Sequence, residues 1–274
     1  MTRMARLPVG TGPRFYLGPP RSASRRWQPG LRLGRLASMG SNDLQAPWHE
    51  AIDGLFPAAV ACAVAQSLVP GDRLFPEEAA AATGFAPTRL AEFQLGRACA
   101  RRALARLGML PQAIAVGARR EPCWPAGIVG SISHAGGMAV AAVAHRRSFA
   151  ALGLDIEAAA ALEPGLIDTV CRPEEARRLR SGSADAAAGA LLVFSAKEAV
   201  YKALWPLLGR FIDFQEVAIL LHADGVGFSV QAHGSNCPVP LAAALQGRIR
   251  HLAGLVATAV WIEAAAGQPA SADS

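Results

Sequence analysis

Residues 127–145 read GIVGSISHAGGMAVAAVAH, and residues 151–157 read ALGLDIE. Ile, Val and Met recur between small residues, and Gly136-Gly137 divides the first stretch in two. Short apolar runs separated by glycine are the pattern of strands joined by a tight turn. This predicts a β-hairpin followed by a third strand that ends in two carboxylates, Asp155 and Glu157. Two positions apart on a strand, both project to the same face.

Working outward, APTRLAEFQLGRACARRALARLG (86–108) reads as a long helix. Leu90, Phe93, Ala100, Leu104 and Leu107 recur at helical spacing, Thr88 is the expected N-cap and Gly108 the expected C-terminal glycine. Before it, AIDGLFPAAVACAVAQSLV (51–69) reads as a strand-rich entry into the core, and RLFPEEAAAATG (73–84) as a connecting helix or loop. AIAVGA (113–118) reads as a short strand. The second half repeats the plan. A long Ala-rich helix is expected from about Asp185 to Leu204, then a hairpin, EVAILLHADGVGFSVQA, turning at Asp224-Gly225, then more strand in RIRHLAGLVATAVWIE. Helix followed by antiparallel strands, twice, gives an α+β fold of two similar halves, 39–150 and 151–263. No residue-level identity links the halves, so the duplication rests on element order.

The chain has 274 residues and a formal net charge of +6. Residues 1–38 hold eight arginines and no acid, so without them the charge is −2. That segment is rich in Gly, Pro and Ser and is expected to be a disordered basic tail, with Met39 the expected true start. Residues 264–274 read as a frayed tail. A basic nucleic-acid-binding protein is disfavoured, because the positive charge is confined to the tail. No apolar run reaches the roughly 18 residues of a membrane span. Five widely spaced cysteines without a C-x-x-C pair read as free thiols of a reducing, cytoplasmic compartment.

Lys197 and Lys202 are the only lysines, and both lie in FSAKEAVYKA (194–203). Glu198 and Lys202 stand at i and i+4 on an otherwise apolar helix. As a surface pair they would contribute about 0.3–0.5 kcal/mol. On a helix that is buried or faces a cleft, they need partners. Glu198 joining Asp155 and Glu157 would make a three-carboxylate site. Oxygen-only donors favour Mg²⁺ over zinc. A solvated strand end is the plainer reading of DIE alone. Ser131, Ser133 and His134 lack the elbow of a serine hydrolase, and a histidine beside glycines suits a phosphate contact. Arg89, Arg97 and Arg101 lie on or near one face of the first long helix, where they form either a solvated face or a polyphosphate clamp. RREPCWPAG (119–127) is either a pocket wall for a purine or a rigid connector.

Taken in order, WPAG…GSISH, LGLDIE and FSAKEAVYKA resemble the signature blocks of 4′-phosphopantetheinyl transferases. The match is to the two-halved surfactin-type enzymes, in the subgroup typified by enterobactin synthetase component D. The helix pattern of Glu92, Phe93, Gly96, Arg97, Ala100, Arg101, Ala103 and Leu104 also resembles that subgroup, and the resemblance spans roughly residues 70–260. It implies two halves related by a pseudo-twofold, with the active site between them. It also implies transfer of phosphopantetheine from coenzyme A to a serine of an apo acyl or peptidyl carrier protein by a cytoplasmic monomer, in siderophore or related biosynthesis. Asp155, Glu157 and Glu198 would then hold Mg²⁺, and Glu198 would help deprotonate the serine. Lys202 would face the pyrophosphate. Ser133, His134, Arg97, Arg101, Arg120, Lys197 and Asp155 would line the coenzyme A site. Glu121 departs from the basic or amide residue common before Pro122. A Mg²⁺-dependent hydrolase of the coenzyme A pyrophosphate would use the same carboxylates, with water as acceptor.

Overall fold

In the computed structural model the described residues are 46–159, 164–181, 186–252 and 254–265. The basic tail, Met39, Asp185 and residues 266–274 lie outside them. Helix α1 (Ala46–Asp53) leads into β1 (Ala61–Ala65), α2 (Pro76–Ala81) and the long α3 (Pro87–Arg106). The short pair β2 (Ala115–Val116) and β3 (Pro122–Cys123) precedes β4 (Ile128–Ala135), β5 (Met138–His145) and β6 (Phe149–Ala158). Then come α4 (Pro164–Val170), α5 (Pro173–Ser181), α6 (Ala186–Leu208), β7 (Val217–Leu221), β8 (Gly227–Ala232), α7 (Val239–Ala244), β9 (Gln246–Leu252) and β10 (Leu255–Glu263).

The fold is α+β with antiparallel sheets, as the element order implied. Strands order β1-β5-β4 in one sheet and β6-β10-β9-β8-β7 in the other. Each carries a long helix, α3 on the first and α6 on the second. The halves share a plan but differ in strand number. β6 begins at Phe149, so the division expected at 150/151 falls inside a strand.

Alternation assigns the faces. On β1 and β5, Ala63, Ala65, Ala139, Ala141 and Val143 pack under α3 with Cys99, Ala103 and Leu104. Their neighbours Cys62, Val64, Val140 and Ala142 turn to a central core with Leu152, Leu154, Ile156, Ala257 and Trp261. From Ala151 onward the odd residues of β6, and the even residues of β10, turn the other way, where Val256 and Val260 meet α6 through Ala196, Ala199 and Ala203. Asp155 and Glu157 share the parity of that second face, which brings them to α6.

Three local expectations change. The entry segment opens as helix, because Ile52 and Leu55, both fully buried, pack α1 onto the central core and only residues 61–65 pair as strand. Ala86 is the N-cap of α3, with Pro87 at N1, so Thr88 lies inside the first turn. A proline fits N1 because its fixed φ suits the helix and its missing N–H has no partner to lose there. Helix α6 runs past Leu204 to Leu208 and includes Pro206. The turns form as read. Gly136 and Gly137 have φ 58° and 78°, and Gly108 closes α3 at φ 79°. Asp224 Oδ1 accepts from the N–H groups of Val226 and Gly227 at the second hairpin.

Candidate active site

The two sheets meet at their edge strands β4 and β6, and two serines replace the missing ladder. Ser131 Oγ accepts from Leu154 N at 3.0 Å and lies 3.4 Å from Leu154 O. Ser133 Oγ accepts from Ile156 N at 3.2 Å and donates to Asp155 Oδ1 at 3.0 Å. Both serines are buried. A hydroxyl has one donor and two acceptor positions. Ser133 uses all three, because it also accepts from Lys202 Nζ at 3.2 Å. Ser133, expected to touch a phosphate, thus also ties the two sheets together at the seam.

Helix α6 comes down on β6 at Gly153. A Cβ there would lie 1.9 Å from the Ala199 carbonyl oxygen, so any side chain would lift the helix. Beside it, Ser195 Oγ and Thr258 Oγ1 share a buried 2.9 Å hydrogen bond. This close approach delivers Lys202, whose Nζ donates to Asp155 Oδ1 at 2.6 Å. Asp155 is only 3 % exposed, and its Oδ2 is buried with no hydrogen-bond partner among the described residues. Burial raises the pKa of Glu157 to about 7, with the charges of Asp155 and Glu198 adding and that of Lys202 opposing. Burial also raises Glu198, with Lys202 opposing and Asp155 adding. For Lys202, burial alone would lower the pKa, but Asp155 and Glu198 outweigh it and the ammonium is held charged. The three carboxylates predicted to converge are thus electrostatically coupled around one ammonium.

Among the described residues, no three acidic, histidine or cysteine side chains stand as a ready-made metal cage. The donor chemistry nevertheless fits a hard cation. Asp155 Oδ2 is a desolvated oxygen with no hydrogen-bond partner among the described residues, and burial raises the pKa of two neighbouring carboxylates, so a cation would favour all three in their ionised form.

On the rim, Arg89 Nη1 lies 2.8 Å from His134 Nε2 and 3.5 Å from Glu92 Oε2. Burial lowers the His134 pKa, Glu92 opposes this, and Arg89 and Lys202 lower it further. The sequence placed Arg89 with Arg97 and Arg101. The structure sends them to different places. Arg101 Nη1 binds both oxygens of Glu78 at 2.8 and 3.0 Å, and its Nη2 binds Arg73 O. Arg97 stacks over Phe93 at 4.5 Å, 4.0 Å from Glu78, and burial lowers its pKa to about 10. Glu78 is fully buried and also accepts from Phe75 N and Ile114 N. Arg97 and Arg101, expected to face phosphates, thus stand in an internal network around Glu78, because a buried carboxylate requires cations.

Lys197, expected near the coenzyme A site, is engaged with groups inside the protein. It is 1 % exposed and bonds Glu175, Val170 and Phe214 on the side of α6 away from Asp155. Arg120 is exposed in the turn between β2 and β3, and it is the one non-glycine residue with positive φ (70°) among the described residues. Glu121 folds back on that turn, its carboxylate accepting from Arg119 N at 2.8 Å over Gly117, where a Cβ would clash with it. The acid at the departing position is thus engaged with its own loop. Arg119 reaches over the Trp205 ring at 5.9 Å, beside Tyr201, whose pKa is raised by burial and then by Glu198. Sequence reasoning singled out neither Arg119 nor Tyr201, although Tyr201 lies one turn from Glu198.

Comparison with known proteins gives the class. Residues 77–144 match the 4′-phosphopantetheinyl transferase N-terminal domain, and residues 151–244 match the 4′-phosphopantetheinyl transferase superfamily. The chain is 39 % identical over 206 residues to 4′-phosphopantetheinyl transferase Svp of Streptomyces mobaraensis, covering 72 % of this chain and 82 % of that one. It is 35 % identical over 197 residues to 4′-phosphopantetheinyl transferase PptT of Mycobacterium tuberculosis, covering 70 % and 87 %. It is also 38 % identical over 122 residues to enterobactin synthase component D of Salmonella typhi, covering 42 % and 48 %. The chain belongs to the 4′-phosphopantetheinyl transferase superfamily and is a transferase of that class. Among the described residues, no helix is long and apolar enough to cross a membrane.

Proposed function

We propose that the protein transfers the 4′-phosphopantetheine group of coenzyme A to a serine hydroxyl of an apo carrier protein, releasing adenosine 3′,5′-bisphosphate. The observation that carries this is the Lys202–Asp155 contact inside a cluster of three coupled carboxylates at the seam between the halves. Asp155, Glu157 and Glu198 are the residues that would hold Mg²⁺. Bound there, the ion would neutralise the pyrophosphate and the carboxylates together.

Glu198, with its raised pKa, accepts the serine proton. The serine oxygen then attacks the β-phosphorus, and the bond to the bridging oxygen breaks. Charge grows on that oxygen, and Lys202 is the ammonium placed to meet it. Arg89 and His134 supply positive charge and hydrogen bonding on the rim for the nucleotide phosphates. The acceptors in view are acyl or peptidyl carriers, those of siderophore assembly among them, and the enzyme acts as a cytoplasmic monomer.

The test is mass spectrometry of an apo carrier protein incubated with the protein, coenzyme A and Mg²⁺. A mass gain of one phosphopantetheine, lost with excess EDTA, is expected. Coenzyme A cleavage with an unmodified carrier would overturn the proposal in favour of a hydrolase.

A further inference from the structure

The buried lysine of α6 has no place in the chemistry above, yet it is among the largest fully buried side chains of the described residues. All three of its N–H donors are used: to Glu175 Oε2 at 2.6 Å, Phe214 O at 2.7 Å and Val170 O at 2.9 Å. Glu175, 3 % exposed, is equally committed. Its Oε1 accepts from Ile219 N at 2.6 Å and its Oε2 from Arg172 N at 2.7 Å. One ion pair therefore ties α6 to the end of α4, the start of α5, the 3₁₀ turn Phe214–Glu216 and strand β7.

Apart from the Ser195–Thr258 bond and the Gly153–Ala199 approach, much of the helix packs through apolar side chains. Its inner face is built from Ala190, Ala196, Ala199 and Ala203 with Leu and Val, and apolar contact is non-directional. Among the described residues, the polar side-chain hydrogen bonds of its body are the Ser195–Thr258 bond, the Lys202 contacts and the Lys197 set. Lys197 and Glu198 are neighbours, so they point about 100° apart around the helix. Fixing one fixes the other. On the far side, Gly153 meets the Ala199 carbonyl with no slack, so a turn of α6 cannot be absorbed there.

We infer that Lys197 is the positioning residue of α6: its ion pair with Glu175 sets the rotation of the helix and so holds Glu198 and Lys202 at Asp155. Register-setting is the best-attested use of a buried ion pair, whose net contribution to stability is often small. The inference rests on the transferase reading for its kinetic consequence only. The geometric consequence stands apart from it.

The test compares the parent with Lys197→Met/Glu175→Gln. This double change removes both charges while keeping an acceptor for the Ile219 N–H and a donor near the carbonyls. Expected are cooperative melting near the parent temperature, a kcat for carrier modification lower by about 10²-fold, and coenzyme A affinity by titration calorimetry within about twofold of the parent, since the three donors of Lys197 are taken by the protein itself. In the crystal, Lys202 Nζ should have moved beyond hydrogen-bonding distance of Asp155 Oδ1. A folded double variant with parental kcat would overturn the inference and leave the pair a scaffold. A large loss of coenzyme A affinity with kcat unchanged would overturn it in favour of direct binding. If the double variant does not fold, Glu175→Gln alone, which keeps the lysine hydrogen-bonded, should lower kcat in the same sense; a parental kcat there also overturns it. An inactive parent would sink the transferase reading, and the Lys202–Asp155 distance in the variant crystal would still decide this inference.

Discussion

The Lys202 ammonium lies 2.6 Å from Asp155 Oδ1, across 47 residues of sequence and between two different elements. Lys202 is 27 % exposed at the side chain and Asp155 is 4 %, so the contact stands at the boundary between the core and solvent. There, one side of the ammonium is fixed by Asp155 and Ser133, and the other is available to a phosphate.

Lys202→Ala should therefore lower kcat by about 10²–10³-fold, the loss typical of one transition-state charge contact. Coenzyme A affinity should change much less, because the charge grows toward the transition state. Lys202→Arg keeps the charge but is longer and planar, and should restore only part of the rate. Steady-state kinetics on a carrier protein check this; an arginine variant as fast as the parent would count against it.

Asp155→Ala and Glu157→Ala should each lower activity by orders of magnitude while the fold survives. The double variant should be little worse than either, since ligands of one ion act as a unit. Asp155→Ala also strands Lys202, so its melting temperature should fall further than that of Glu157→Ala. Thermal melts and activity at saturating Mg²⁺ test both points. Strictly multiplicative losses would contradict a shared ion.

The pKa of Glu157, raised to about 7, has a consequence for stability. Its unfolded value is about 4.3. Between these values the folded state binds more protons than the unfolded state, so this group's contribution to stability declines as pH rises. In EDTA, the parent should lose melting temperature from pH 5 to pH 8 relative to Glu157→Gln. Mg²⁺ binds the ionised form and should reverse the difference at pH 8. Melts of both proteins over that range, with and without the ion, check the sign.

Gly153→Ala places a methyl 1.9 Å from a backbone oxygen of α6. Overpacking of this kind costs about 1–3 kcal/mol. The helix must lift, carrying Glu198 and Lys202 from Asp155, so activity should fall more than the lost stability explains. Gly165→Ala, which meets nothing within 4 Å, serves as the control and should change neither. Denaturant unfolding and carrier modification measure the two effects.

Much of this was legible in the chain. Glycine pairs and alternation marked the strands and turns, and helical spacing marked α3 and α6. The i, i+2 spacing paired Asp155 with Glu157, and the i, i+4 spacing paired Glu198 with Lys202. These are local relations, fixed by the period of a strand or helix. The strand expected near residue 52 failed because α1 is settled by burial against Leu154 and Trp261, far along the chain.

The sequence by itself determined which residues share a face; tertiary structure alone decided what each face meets. Lys197 and Lys202 look equivalent within FSAKEAVYKA, as do Arg97 and Arg101 with Arg89. Their roles part because Glu175 and Glu78, in the first turns of two short helices, are buried by packing and must draw cations from the nearest helix. A buried charge takes whichever opposite charge the fold brings within reach, and that choice is made by long-range contacts that no local spacing encodes.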